Sequence, residues 1–196
     1  MAIYCGVSDS DGISDFYKAN ITQEVPGVGN VTVSGYITGE TQIQLSQDWG
    51  SPFSEDTAGN AVGAKSSAVG QTMTSVTTKT LQNSKLVWNG SEPLTFDLEL
   101  SFVAIDDAKR EVNDPIMYLM QMSSPELNDL MPIGQVPQEV KLNIGRRLLT
   151  KALIKEVSYN ESAPKTKEGY FVSNKINITL SLDGVVNASQ VPSKFK

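Results

Sequence analysis

The segment Leu94-Thr-Phe-Asp-Leu-Glu-Leu-Ser-Phe-Val-Ala alternates apolar and polar residues with a period of two. A strand turns successive side chains to opposite faces. Leu94, Phe96, Leu98, Leu100 and Phe102 therefore share one side, and Thr95, Asp97, Glu99 and Ser101 the other. Such a segment belongs in a sheet with one dry and one wet face. Lys175-Ile-Asn-Ile-Thr-Leu-Ser-Leu repeats the pattern, with Ile176, Ile178, Leu180 and Leu182 inward, and Asp183-Gly184 marks the turn after it. Val31 to Ile37 and Thr41 to Leu45 predict a hairpin about Gly39-Glu40. Glu139 to Ile144 and Leu149 to Tyr159 predict two strands joined across Gly145-Arg146-Arg147. Thr72 to Val87, β-branched and polar, predicts a long, partly exposed strand. The expected fold is mainly β, an antiparallel barrel or sandwich.

One helix interrupts the strands, at about residues 107–123. Asp106-Asp107 caps a first turn, and Asp114-Pro115 restarts the helix with proline at its first position. Ile116, Leu119 and Met120 fall at helical spacing, Met117, Met120 and Met122 are expected to pack into the core, and Ser124-Pro125 closes the element. Residues 46–71, rich in Gly, Ser and Ala, have no clean period and predict a long loop.

Composition removes most catalytic chemistry. The 196 residues include no histidine and one cysteine. Imidazole bases, Ser-His-Asp and Cys-His nucleophiles, HExxH metal sites and disulfide scaffolds all need more than that. The expected assignment is a protein that is not an enzyme and holds no cofactor or metal. A net charge of −6 argues against general adhesion to nucleic acid. The opening residues have too short an apolar run for a signal peptide, and nowhere do about 18 apolar residues run together, so no membrane partner is expected. Six Asn-x-Ser/Thr sequons, at Asn20, Asn30, Asn89, Asn160, Asn177 and Asn187, are expected by chance in a chain this rich in Asn, Ser and Thr.

Two motifs fail on inspection. Gly59-Asn-Ala-Val-Gly-Ala-Lys65-Ser66 approaches a phosphate-binding loop, but Ala64 stands where glycine is needed, and no strand–loop–helix frame surrounds it. Asp9-Ser-Asp11-Gly-Ile-Ser-Asp15 opens like a calcium loop, but Ser14 and Asn20 occupy the positions that need glycine and glutamate.

Trp88-Asn-Gly90, then Pro93-Leu-Thr-Phe-Asp-Leu-Glu-Leu-Ser-Phe-Val-Ala104, then Val112-Asn-Asp-Pro115 and Ser124-Pro125 follow one another in a recurring order. Val140-Lys-Leu-Asn-Ile-Gly145, Ile154-Lys-Glu-Val-Ser-Tyr159 and Gly169 to Leu180 continue it. Over roughly residues 80–183 this order resembles the tail-tube-like baseplate proteins of contractile-tailed bacteriophages, especially the tube initiators. The resemblance implies a small β-barrel or sandwich of the tail-tube type with one flanking helix, assembled as a homo-oligomer, a six-fold ring. It implies a structural virion protein that nucleates or extends the tail tube and forms part of the DNA channel. Expected partners are the tail tube protein, the baseplate hub proteins and the tape measure protein, with genomic DNA only in transit. The expected location is the virion tail, with assembly in the host cytoplasm. Residues 1–30 match nothing in the family and are expected to form an N-terminal arm, with residues 31–196 the tail-tube-like domain. Which ring of the tube or baseplate it forms stays open.

Charge is uneven along the chain. Residues 1–60 carry one Lys against eight acids, whereas residues 141–196 carry ten bases against four. A conduit for DNA suits an acidic or neutral lining, since a basic bore would hold the polyanion. Asp97 and Glu99, then Glu92, are the expected lining. Lys141, Arg146, Arg147, Lys151 and Lys155 are expected at ring contacts. Two other readings compete: a receptor- or carbohydrate-binding domain at the tail tip, using Trp49 and Trp88 as stacking platforms, and a glycosidase using Asp97 and Glu99.

Overall fold

The computed structural model describes residues 2–8, 10–50, 85–127 and 134–195. The chain divides into two compact units, one of Met1–Leu45 with Pro93–Lys196 and one of Ser46–Glu92. Strands dominate the described residues, so the alternation in the sequence is the main organising signal. In chain order they are β1 (Ala2–Gly6), β2 (Lys18–Val25), β3 (Gly29–Gln44), β4 (Gln47–Gly50), β5 (Val87–Ser91), β6 (Thr95–Val103), β7 (Val140–Ile144), β8 (Leu148–Tyr159) and β9 (Ser173–Ser181).

In the first unit six strands close an antiparallel barrel in the order β3–β2–β7–β8–β9–β6, with β6 pairing back onto β3. Closure is staggered. β3 pairs β2 along its first half and β6 along its second. Likewise, β8 pairs β7 through residues 148–152 and β9 through residues 153–159. The two longest strands therefore turn corners between two four-stranded halves, and each carries a register shift near its corner, at Thr38/Gln42 and at Ile154/Glu156.

The predicted hairpin about Gly39-Glu40 is thus a single strand. Gly39 takes a φ of +61°, but the chain continues forward, and the residues on both sides of it, Tyr36–Thr38 and Gln42–Gln44, pair with the same strand, β6. The arm expected over residues 1–30 is instead β1 and β2. β1 adds in parallel to the first half of β3, and β2 buries Ala19, Ile21 and Val25 in the barrel. Ordinary apolar alternation in 19–25 drives that burial.

The core forms as the period-two pattern requires. Phe96, Leu98, Leu100 and Phe102 of β6, and Ile176, Ile178 and Leu180 of β9, are at most 2% exposed and join one cluster with β2, β3, β7 and β8. The β7–β8 connection runs across Gly145-Arg146-Arg147 as expected.

After β6 the Asp107 carboxylate accepts the Lys109 and Arg110 N–H groups and starts a π-helical turn, Lys109–Asn113. This continues into helix α1, Asp114–Ser123, with Pro115 in its first turn. The helix packs against β8, β3, β1 and β2. Its buried stripe is Val112, Ile116, Leu119 and Met122, whereas Met117 and Met120 are exposed. The methionine face expected in the core is therefore split, because burial follows a stripe that Met117 and Met120 fall outside. A short C-terminal helix, α2 (Val191–Lys194), ends the chain, and Phe195 bridges to Leu148 of β8.

In the second unit β4 and β5 pair antiparallel, with Trp49 opposite Trp88. The Trp88 indole N–H donates to Gln47 Oε1 at 3.0 Å, and both tryptophans are half exposed. Residues 51–71 of the expected loop, the phosphate-loop-like segment 59–66 and residues 72–84 of the expected long strand lie outside the described residues.

Candidate functional site

The barrel half made of the second part of β3 with β6, β9 and the second part of β8 carries a mainly polar outer face, with Val103 and Leu153 the apolar residues at its two ends. Alternation puts the apolar residues of these strands into the core and the intervening ones outside. The register then lines them up across the strands. Gln42, Asp97, Thr179 and Glu156 form one row, and Thr38, Glu99, Asn177 and Ser158 the next. Lys175 stands beside the second row, opposite Ser101.

Cross-strand contacts knit the rows together. The Thr179 hydroxyl donates to Asp97 Oδ1 at 2.8 Å. Lys175 Nζ donates to Glu99 Oε1 at 2.7 Å, and Thr38 Oγ1 donates to the same oxygen at 3.2 Å. The Lys175 hydrogen bond holds the Glu99 carboxyl below its ordinary range, so it stays ionised. With Asp97, Glu99 and Glu156 against Lys175 and Lys155, the face keeps a net charge of about −1. A shallow concavity of about 420 Å³ lies over it, lined by Gly39, Asp97, Glu99, Lys175, Asn177 and Thr179.

The other expected residues fall elsewhere. Glu92 is exposed and belongs to the second unit, where its N–H donates to the Ser46 carbonyl. Lys141 and Lys151 lie directly opposite one another on β7 and β8, on the outer face of the other barrel half. Like charges so placed repel, and Lys151 finds Glu139 at 3.7 Å. Arg146 and Arg147 are exposed on the β7–β8 turn, where Arg146 pairs with Asp15. Lys155, by contrast, is exposed at the register shift of β8, beside Glu156 in the polar half itself.

Sequence reasoning missed Glu156 and Lys175. Counting by twos from Leu148 assigns Glu156 to the dry side, and the extra residue in β8 turns it outward. Lys175 was read only as part of a basic end, although its strand neighbours an acidic one.

The calcium-like segment turns out to be filled from within. Asp11 Oδ1 accepts Lys18 Nζ at 2.8 Å and the Ile13 N–H at 2.9 Å, while Oδ2 accepts the Tyr36 hydroxyl. Both charged side chains are almost completely buried. Burial pushes the Asp11 carboxyl up, but the bonds from Lys18, Tyr36 and Ile13 outweigh it and hold it down at about 2. Burial, with the bond to Asp11, raises Tyr36 to about 12. Among the described residues no cluster of three or more acidic or cysteine side chains is placed to hold a metal ion. Among them, too, no helix is long and apolar enough to cross a membrane.

No protein-family model matches the chain, and a search of curated proteins finds no relative.

Proposed function

We propose that the chain is a structural component of a contractile phage tail, a tube-like ring that nucleates or extends the tail tube and passes DNA through its lumen. The observation that carries the reading is the four-stranded polar half. Among the described residues, residues 37–43 of β3 pair with β6 on one side and with no strand on the other. In the same way residues 153–159 of β8 pair only with β9. The half thus ends in two open edges, and open edges template pairing with another chain.

The geometry favours a ring over a random aggregate. In an antiparallel run of four, the two outer strands point in opposite directions. A copy related by rotation about an axis along the strands therefore brings its β3 edge antiparallel to the first copy's β8 edge. The two edges differ, so the contact is heterologous, and it closes into a ring when the rotation closes. The polar rows with Asp97, Glu99 and Glu156 then form one continuous wall. Such a lining leaves DNA free to slide.

Native mass spectrometry with electron microscopy of the assembled chain tests the reading. Six-copy rings with an open centre are expected, and a chain that stays monomeric at high concentration would overturn it. The half-exposed Trp49 and Trp88 favour a second reading, a carbohydrate-binding domain at the tail tip. Glycan binding lost in Trp88→Ala, without ring formation, would favour it instead.

A further inference from the structure

The segment between β1 and β2 holds two adjacent aromatic side chains out in water. Phe16 and Tyr17 are 62% and 65% exposed, on the single turn Asp15–Tyr17. The turn is tied down from several directions. Asp15 pairs with Arg146, and the Lys18–Asp11–Tyr36 network anchors the residues on either side. The Gly145 N–H donates to the Lys18 carbonyl at 2.9 Å. Gly145 has a φ of +54°, and a Cβ there would lie 2.6 Å from the Phe16 carbonyl oxygen, so only glycine permits this approach. The aromatic pair is thus a rigid projection, with Arg146 and Arg147 on the adjoining β7–β8 turn.

The far ends of the same strands carry the opposite chemistry. β2 runs from Lys18, beside the projection, to Val25, and β7 runs from Val140 to Ile144, also beside it. At the Val25 and Val140 ends, Glu24, Pro26, Val28 and Gln138 line a concavity of about 450 Å³. A smaller one shares Glu24, Pro26 and Gln138 with it and adds Pro125, Glu126 and Pro137. Among the described residues no basic side chain lines either. The next depression, which shares Glu24 and Gln138, carries Lys141 and the Lys151–Glu139 pair. Eight residues of β2 separate projection from groove by roughly 25 Å.

A rigid aromatic pair beside arginines and a proline-lined groove bearing glutamates are complementary in charge and apolar character, and they stand at opposite ends of one barrel. We propose that Phe16 and Tyr17 of one copy dock in the Glu24–Glu126 groove of a second copy of this chain, with Arg147 facing the glutamates. Aromatic and arginine side chains carry most interface energy, and a side chain already held in place loses little entropy on docking. The contact joins unlike surfaces and so propagates head to tail. It deepens the ring reading and rests on it only for what the contact builds, a stack of rings.

Full-length Phe16→Cys and Glu126→Cys variants, mixed and oxidised, test the contact. Cys5 is 4% exposed and burial pushes its thiol up to about 12, so it does not compete. The mixed disulfide should exceed both homodimers. In sedimentation, the Phe16→Ala/Tyr17→Ala variant should self-associate roughly thirtyfold more weakly. Arg147→Glu and Glu126→Arg should each weaken association, and mixing the two variants should restore it. Predominant homodimers of the Phe16→Cys variant, no mixed disulfide above the wild-type background, or unchanged association of the alanine variant would overturn the proposal. A mixed disulfide in particles without six-fold closure would uphold this contact and defeat the ring reading. Six-fold rings without the mixed disulfide would do the reverse.

Discussion

Lys18 and Asp11 form the most deeply buried ion pair among the described residues, and Tyr36 completes it. Their titration sets a pH signature. Asp11 is depressed to about 2 in the fold, so its stabilising contribution is present above the ordinary carboxylate pKa and is lost as pH falls towards 2. Tyr36 is raised to about 12, so its contribution is complete below pH 10 and is lost as pH rises through 12. Urea midpoints measured against pH should fall at both limits, and Tyr36→Phe should flatten the alkaline limb and weaken the acid one, because it also removes a bond that holds Asp11 down. Asp11→Asn leaves the buried Lys18 with only Asp15, at 4.0 Å, as counter-charge and should cost about 3 kcal/mol at neutral pH. Wild-type-like stability in that variant would mean that the segment is held by other contacts. At this scale the sequence was informative where a side chain's role follows from its own strand. Phe102, inward by alternation, is fully buried, and Phe102→Ala should cost about 3–5 kcal/mol in equilibrium unfolding. The Lys18 network was not legible, because it joins residues 11, 18 and 36 through a tertiary approach that no spacing encodes.

Elements were legible where the period ran unbroken and misread where it shifted. β6 matches its alternation throughout, and β9 does so up to Ser181, which is buried although it falls on the polar side. β3 does not, because a glycine with positive φ reads equally as a turn or as an irregularity within a strand, and only pairing with β6 on both sides of it decides. Gly39→Ala forces an L side chain into that left-handed backbone and should cost about 1–2 kcal/mol. A Cβ there would also lie 2.6 Å from the Glu99 carboxyl group, so the variant should disturb the Glu99–Lys175 pair. Thermal unfolding unchanged from wild type would show that the corner does not depend on glycine. The register shift in β8 hid Glu156 in the same manner. In α1 the helix itself was plain from Asp107, Pro115 and Pro125, but its buried stripe depends on where β8 and β3 meet it.

For the whole molecule, the charge asymmetry along the chain is mixed by the fold: Lys141 and Lys151 share their barrel half with Glu24 and Glu139, and Asp97, Glu99 and Glu156 share theirs with Lys155 and Lys175. If the polar half lines a bore, Asp97→Lys with Glu99→Lys should slow DNA passage in an ejection assay while particles still assemble. Ejection at the wild-type rate would leave these acids as no more than a solvated strand face. The central claim is that the open edges of β3 and β8 join copies into a ring with the polar rows inward. It is tested most directly by a three-dimensional reconstruction of the assembled particle. The account predicts six-fold symmetry, β8 of one copy paired antiparallel with β3 of the next, and Asp97, Glu99 and Glu156 facing the lumen. A ring with those residues on its outer surface, and Arg146 or Arg147 in the lumen, would contradict it.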